Sequence, residues 1–492
     1  MLFALLALLL AAGGLAAVGE RFGPTVPQWV ALAALAVAGG LVAAAGTPGF
    51  AAAWGPEWIH GEAYRWIPRF GIALLLGIDG LGLVLVGLTL LLGAVAVLAS
   101  WTEVDSRPGL FHGHLLWTLA GAVGVFCALD LFAFFVFWEV MLVPMYFLIA
   151  GWGHEGRSHA AMKFFLFTQI GGLLMLLSIV GLVWLHRGET GVLTFSYFEL
   201  QGAAVGSPWA PWLLAGFLLA FLVKLPAVPL HSWLPDAHTQ APTAGSVVLA
   251  GVLLKTGGYG LVRFAEPLFP EAARALALPV LAVGAASVLY GGLLAFGQRD
   301  FKRVVAYSSI GHMGFVVLGV FAFDAVARQG AIVQMVAHGL SSGALFLLAG
   351  AVQQRLHTRA LDALGGLWDR APRMGAFALF FLAAALGLPG LGNFVGEFLV
   401  LLGSFRTQPV AAVLAALGLV ISALYALRLL RRAFHGPAGP ALATAPVPDL
   451  DRRELLALGV LAAGLLWLGL QPQLVLDLLG PATPVPLAGP VP

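Results

Sequence analysis

One cysteine, Cys127, occurs in 492 residues, which excludes disulfides and every multi-cysteine zinc or iron–sulfur site. Charge is equally scarce. Only 10% of residues are Asp, Glu, Lys or Arg, against roughly 25% in an average soluble domain. The 25 basic and 23 acidic residues nearly cancel, so no polybasic stretch is available and nucleic acid is excluded as a partner. GxxxxGK[ST] and CxxCH are absent, which removes the usual seats of a nucleotide and of attached haem. The nearest approach to a dinucleotide fingerprint, GLGNFVG at 390–396, has the wrong glycine spacing and follows no strand. No cofactor is expected in this chain, and redox chemistry by the chain alone is excluded.

What is abundant is apolar surface, at 60% of the residues. That composition places the chain in a membrane. Segments able to cross about 30 Å of hydrocarbon, roughly 20 residues each, fall near 2–19, 28–46, 72–99, 113–129, 131–150, 161–185, 210–231, 243–262, 275–297, 304–322, 330–353, 374–403, 410–428 and 455–473. The sequence thus predicts an all-α polytopic membrane protein of 14 helices. The N-terminal run lacks a leading positive charge and a cleavage site, so it reads as the first span. The longest loops, about 47–71, 186–209, 354–373 and 429–454, are too short for separate domains.

Basic residues test the count, because a missed span would scramble their sides. With the N-terminus outside, 16 fall in cytoplasmic loops (among them Lys163, Lys302, Arg303 and Arg359), 7 in the opposite loops and 2 within spans. Both termini are predicted to face outward.

The ionisable residues inside spans are few. A charge at the centre of a membrane helix costs about 2.5–3.5 kcal/mol on translocon scales, so each must be paired, hydrated or neutral. Glu139 lies mid-helix in FWEVMLVP, Lys224 just before Pro226 and Pro229, and Lys255 on the eighth span. His312 and His338 sit on the tenth and eleventh spans, and Glu397 on the twelfth after a Pro-Gly break. Duller readings exist for each. A lysine can snorkel to the headgroups, and a single histidine can be a hydrogen-bonded packing residue. Asp79 and Asp130 read as helix-end residues, and His231 and His238 as hydrogen-bond fixtures of a break. Six costly residues on one chain nonetheless point to an ion path.

Prolines mark two interruptions, KLPAVPLHSWLP and LGLPGLGNFVGE. Proline removes a backbone donor, and freed backbone at membrane depth is tolerated only where protein or a wet cavity satisfies it. Paired broken helices are a signature of transporters built from repeats, with the ion site near the breaks.

FWEVMLVPMYFLIAGWG, FLVKLPAVPLHSWLPDAHTQAPTAGSVVLAGVLLKTGGYGLVRF, KRVVAYSSIGHMGF and GLPGLGNFVGEF together resemble the antiporter-like membrane subunits of respiratory complex I, most closely the M type. The likeness spans about 110–430. It implies fourteen transmembrane helices with spans 4–8 and 9–13 as inverted five-helix repeats and spans 7 and 12 broken. The corresponding division of this single membrane domain is 1–110, 111–265, 273–434 and 435–492. It also implies a proton channel in the bacterial inner membrane, coupled to quinone reduction elsewhere in NADH-quinone oxidoreductase, with other membrane subunits, including neighbouring antiporter-like chains, as partners. By the same likeness Glu139 and Lys224 are a switching pair, Lys255 the central lysine, His312 and His338 the links, and Glu397 the terminal acid. Sister L and N chains usually carry lysine at that last position. Two rivals stand beside this reading: a subunit of a multi-subunit sodium/proton antiporter, and a structural subunit whose charges only lock helices.

Overall fold

The computed structural model describes residues 1–45, 58–443 and 447–480. Pro492, the terminus expected outside, and residues 47–57 of the second connection lie outside that set. Among the described residues, twelve helices are long and apolar enough to cross a membrane. They are α1 (Leu2–Gly19), α2 (Val26–Ala45), α3 (Gly80–Ser100), α4 (Pro108–Cys127), α5 (Leu131–Trp152), α6 (Arg157–Thr190), α9 (Thr243–Leu268), α10 (Ala277–Gly297), α11 (Phe301–Phe321), α12 (Ala325–Leu356), α15 (Pro409–Phe434) and α16 (Arg452–Leu470). Among the shorter helices between them are α7 (Ala210–Lys224), α8 (Trp233–Gln240), α13 (Pro372–Ala385) and α14 (Gly392–Thr407).

Five of the acidic residues cap helix starts. Asp79, Asp130, Asp300, Asp324 and Asp451 each accept backbone N–H bonds at the head of the following helix, satisfying donors that lipid could not. The helix-end reading of Asp79 and Asp130 therefore holds.

One expected span is corrected. The apolar run from residue 72 does not enter α3 directly but forms strand β2 (Ile72–Asp79), paired antiparallel with β1 (Trp58–Ile67). Gly71 in the left-handed region closes the turn, and the Asp79 carboxylate accepts from Gly82 N, so the helix cannot begin before Gly80. The fold is mostly helical with one hairpin, not all-α.

Helix α9 is buried along its whole length, and α4, α11 and α12 nearly so, whereas only a minority of the residues of α2, α15 and α16 are buried. The polar residues of interest lie on or against those central helices. Eight ion pairs at the helix ends fall into two groups that share no helix end. Lys163–Asp236, Arg303–Asp236, Arg359–Asp300, Arg355–Glu454 and Arg432–Asp362 form one. Arg263–Asp79, Arg328–Glu266 and Arg406–Asp324 form the other. Helix α12 has its start in the second group and its end in the first, as a crossing requires.

Candidate functional site

Both proline-marked interruptions are present. Helix α7 stops at Lys224 because Pro226 has no N–H to continue the ladder. Its freed groups are satisfied locally: Trp233 Nε1 donates to Val223 O at 2.9 Å, and Val228 N donates to Ser287 Oγ of α10 at 2.9 Å. Helix α13 ends at Ala385, and Gly387 and Gly390, both at positive φ, carry the chain around Pro389 into α14. The side chains expected to matter lie beside these breaks and on α9, α11 and α12.

Four of the six are brought together. Lys255 Nζ lies 2.6 Å from His338 Nδ1 and 2.6 Å from Ala250 O of its own helix. That carbonyl is five residues back because α9 widens into π-helical turns on both sides of residues 254–260. Such turns leave carbonyls off the regular ladder and are frequent at functional sites. The His338 and His312 rings are 5.4 Å apart between centroids. His312 Nδ1 is 2.9 Å from Glu397 Oε1. All four are buried, Lys255 fully, so the snorkelling reading fails for Lys255.

This spacing has chemical consequences. At 2.6 Å the ammonium of Lys255 points at a ring lone pair and a proton can be shared between them. Were both histidines cationic, they would repel by about 3 kcal/mol at an effective dielectric near 20. That is about a hundredfold in equilibrium constant, which disfavours two cations side by side. Glu397 is placed to exchange a proton with His312: Oε1 faces Nδ1, while Oε2 is buried with no hydrogen-bond partner.

The other two stand apart from this cluster. Lys224 is fully buried, with no hydrogen-bond partner for Nζ. Its cation lies 4.9 Å from the centroid of Trp138 and 5.9 Å from that of Phe164. Glu139 is half-buried, and its Oε1 has no partner. The two interact through space rather than as a direct ion pair. An unbonded buried cation costs several kcal/mol, which a purely structural lysine would have no reason to incur.

Gln334 and Tyr425 carry no expectation from the sequence, and His238 and Lys302 stand otherwise than expected. Gln334 donates to Glu397 Oε1 at 3.0 Å, and its amide lies 3.3 Å from His312 Nδ1. Its signal was legible: it precedes His338 by four residues, on one helix face. Tyr425 of α15 places its hydroxyl 3.2 Å from His312 Nε2, and no pattern marks it. His238, expected as a hydrogen-bond fixture, has neither ring nitrogen bonded and stacks 4.3 Å from Phe346, with Lys302 and Lys255 as charged neighbours. Lys302, counted among loop residues, is 1% exposed and donates to Ala241 O at 2.8 Å. Its place in the run RDFKR disguised it as an ordinary surface charge.

Residues 128–422 match the profile of the NADH:quinone oxidoreductase/Mrp antiporter transmembrane family. The chain is 51% identical over 478 residues to NADH-quinone oxidoreductase subunit M of Pseudomonas aeruginosa, covering 95% of this chain and 93% of that one. Its structure is similar to a chain of respiratory complex I from Thermus thermophilus with bound NADH, with a TM-score of 0.88, 32% identity and 98% of each chain covered. A chain of the Mrp complex from Dietzia is more distant, with a TM-score of 0.84 and 25% identity, covering 98% of this chain and 51% of that one. A twofold higher identity over nearly full length separates the first relative from the last, and the chain belongs to the NADH-quinone oxidoreductase subunit M family.

Proposed function

We propose that this chain is a proton-translocating, antiporter-like membrane subunit of NADH-quinone oxidoreductase, working among other membrane subunits and performing no redox chemistry itself. The observation that carries the reading is the buried series Lys255, His338, His312, Glu397, with hydrogen-bond distances of 2.6 and 2.9 Å at its two ends and 5.4 Å between the ring centroids of the histidines. The pair Glu139 and Lys224 acts as the switch. With Glu139 close, Lys224 holds its proton; when Glu139 is drawn away, burial favours the neutral amine and the proton moves inward. Each pKa unit is about 1.4 kcal/mol, so modest displacements suffice. His238, between Lys302 and Lys255, offers a further inlet to the central lysine.

In this reading α7 with α8, and α13 with α14, complete two interrupted crossings, so that twelve long helices become fourteen spans. Residues 111–265 and 273–434 are then the two inverted repeats. Both termini face outward, and the ion-pair group containing Lys163, Arg303 and Arg359 faces the cytoplasm of a bacterial inner membrane.

The test is proton yield per NADH oxidised by the assembled complex in sealed vesicles. Lys255→Met and Glu397→Gln should each lower it while the complex still assembles. Full yield in both would end the reading, and sodium uptake replacing proton movement would favour an antiporter subunit instead.

A further inference from the structure

Helices α10 and α15 run side by side in the same direction, Gly418 against Val288, Gly292 against Ile421 and Phe296 against Arg428. They are packed closely enough that a Cβ at Gly292 would lie 2.8 Å from Ile421 Cγ2. One turn further, where α10 ends, a cleft of about 410 Å³ opens between them, lined by Phe296, Leu427, Arg428, Arg431 and Arg432. That is far beyond the roughly 30 Å³ share of one water, so the cleft has room for a polyatomic group. The arginines occupy the last two turns of α15, with 431 and 432 three and four residues after 428, on one face. Cations at a helix C-terminus serve the helix dipole, which accounts for their sign but not for the cleft. Arg428 is fixed in place: Nη1 donates to Phe296 O, and the guanidinium carbon lies 4.6 Å from the centroid of the Phe296 ring. A guanidinium has five N–H donors, so most of them remain unspent. Among the described ion pairs, only Arg432 of the three has a carboxylate partner, Asp362 Oδ1 at 3.0 Å. Arg431 is exposed.

The surface leading away from the cleft along the two helices is apolar. Phe296 and Leu427 flank the arginines, and one turn back Leu293 and Leu424 are exposed as well. A ligand that fits both parts is an amphiphile, negative at the arginines and apolar along the leucines. We propose that this cleft is a binding site for one anionic phospholipid, its phosphodiester held by Arg428 and Arg431 and its acyl chains lying along Leu293, Leu424 and Leu427. The planar, multiply donating guanidinium suits phosphate oxygens, which it can meet through two N–H bonds at once. An inorganic anion would use the arginines and leave the leucines uncovered. Three cations are fewer than the roughly four to eight of a segment held by surface potential alone, so the cleft, which gathers them around one volume, is what makes a headgroup site of them. Arg432 is a reserve donor, held off by Asp362. The site requires only that α10 and α15 cross the membrane, and it stands whether or not protons follow the proposed route.

The experiment reconstitutes the assembled complex into vesicles of phosphatidylethanolamine and phosphatidylglycerol containing a trace of photoreactive lipid. Two probes carry the same photoreactive acyl chain, one on phosphatidylglycerol and one on zwitterionic phosphatidylethanolamine, and labelled peptides are mapped after illumination. The phosphatidylglycerol probe should label the peptides containing Leu293 and Leu424 well above the phosphatidylethanolamine probe. Arg431→Gln, which removes an exposed side chain and so spares folding, should lower that labelling about fivefold, the weight of one basic residue at an anionic surface. Asp362→Asn should raise it, because Arg432 is then released to the headgroup, whereas a purely structural ion pair would give no gain. Equal labelling by the two probes would reduce the cleft to ordinary lipid contact and overturn the proposal, as would labelling unmoved by Arg431→Gln. Absence of label from both probes at the cleft would mean that a neighbouring subunit covers it, and would overturn the proposal too. Proton yield is not read in this experiment, so loss of the lipid site leaves the proposed route intact, and failure of the route leaves the lipid site intact.

Discussion

At the scale of single residues, the cost of burying charge separates function from architecture. Lys224 has no hydrogen-bond partner and Glu139 engages it only through space, so the two contribute little to holding helices together. Replacing buried ion pairs by apolar groups of similar volume is often neutral or stabilising by about 1–4 kcal/mol. The double variant Glu139→Gln, Lys224→Met should therefore melt at or above the temperature of the unaltered protein in detergent while its proton yield falls. A lower melting temperature with intact yield would return the pair to a structural role. His154, in the turn after α5, shows the opposite economy. Burial, then the cations of Lys302 and Arg359, push it down to about 4 from an ordinary 6.5. Between those values the unfolded chain binds the proton and the folded one does not, so stability falls as the pH drops from 6.5 to 4. His154→Gln should flatten that part of a melting-temperature curve, and an unchanged slope would show that the cations act elsewhere.

At the scale of elements, the interruptions are built by their neighbours as much as by their prolines. The end of α8 is held by Arg359, which donates to Thr239 O at 2.9 Å, and by Lys302 on Ala241 O, so two cations cap a helix terminus rich in carbonyls. Helix α9 comes so close to the break after α7 that a Cβ at Gly257 would lie 2.6 Å from Phe221 O and 2.8 Å from Leu225 N. Backbone atoms cannot yield as a side-chain tip can. Gly257→Ala should cost about 1–3 kcal/mol, the usual range for overpacking, and displace Lys224 from its aromatic neighbours. The checks are melting temperature and proton yield together; an unmoved melting temperature would mean the two helices separate more freely than their packing implies. The breaks themselves were legible, because Leu-Pro steps inside apolar runs leave few alternatives. The hairpin was not, because Ile72–Asp79 is as apolar as the helix after it and only pairing with Trp58–Ile67 distinguishes the two.

At the scale of the whole molecule, sidedness follows from arithmetic that the contacts respect. Each ion pair of the two end groups joins residues whose loops the proposed alternation of fourteen crossings puts on the same side. A reporter fused to Pro492 should be active outside and silent in the cytoplasm; cytoplasmic activity would require an odd number of crossings or a reversed chain.

Composition and pattern alone determined the solvent, the two breaks and the six costly side chains, because lipid penalises charge and unpaired backbone severely enough to leave a mark at each position. Which of those side chains touch was decided by the fold. Lys255 and His338 are 83 residues apart and Glu397 and His312 85, yet each pair meets within hydrogen-bond distance. A partner such as Tyr425, whose hydroxyl lies 3.2 Å from His312 Nε2, carries no sequence signal, since a hydroxyl costs little to place in a helix and gains meaning only from what lies beside it.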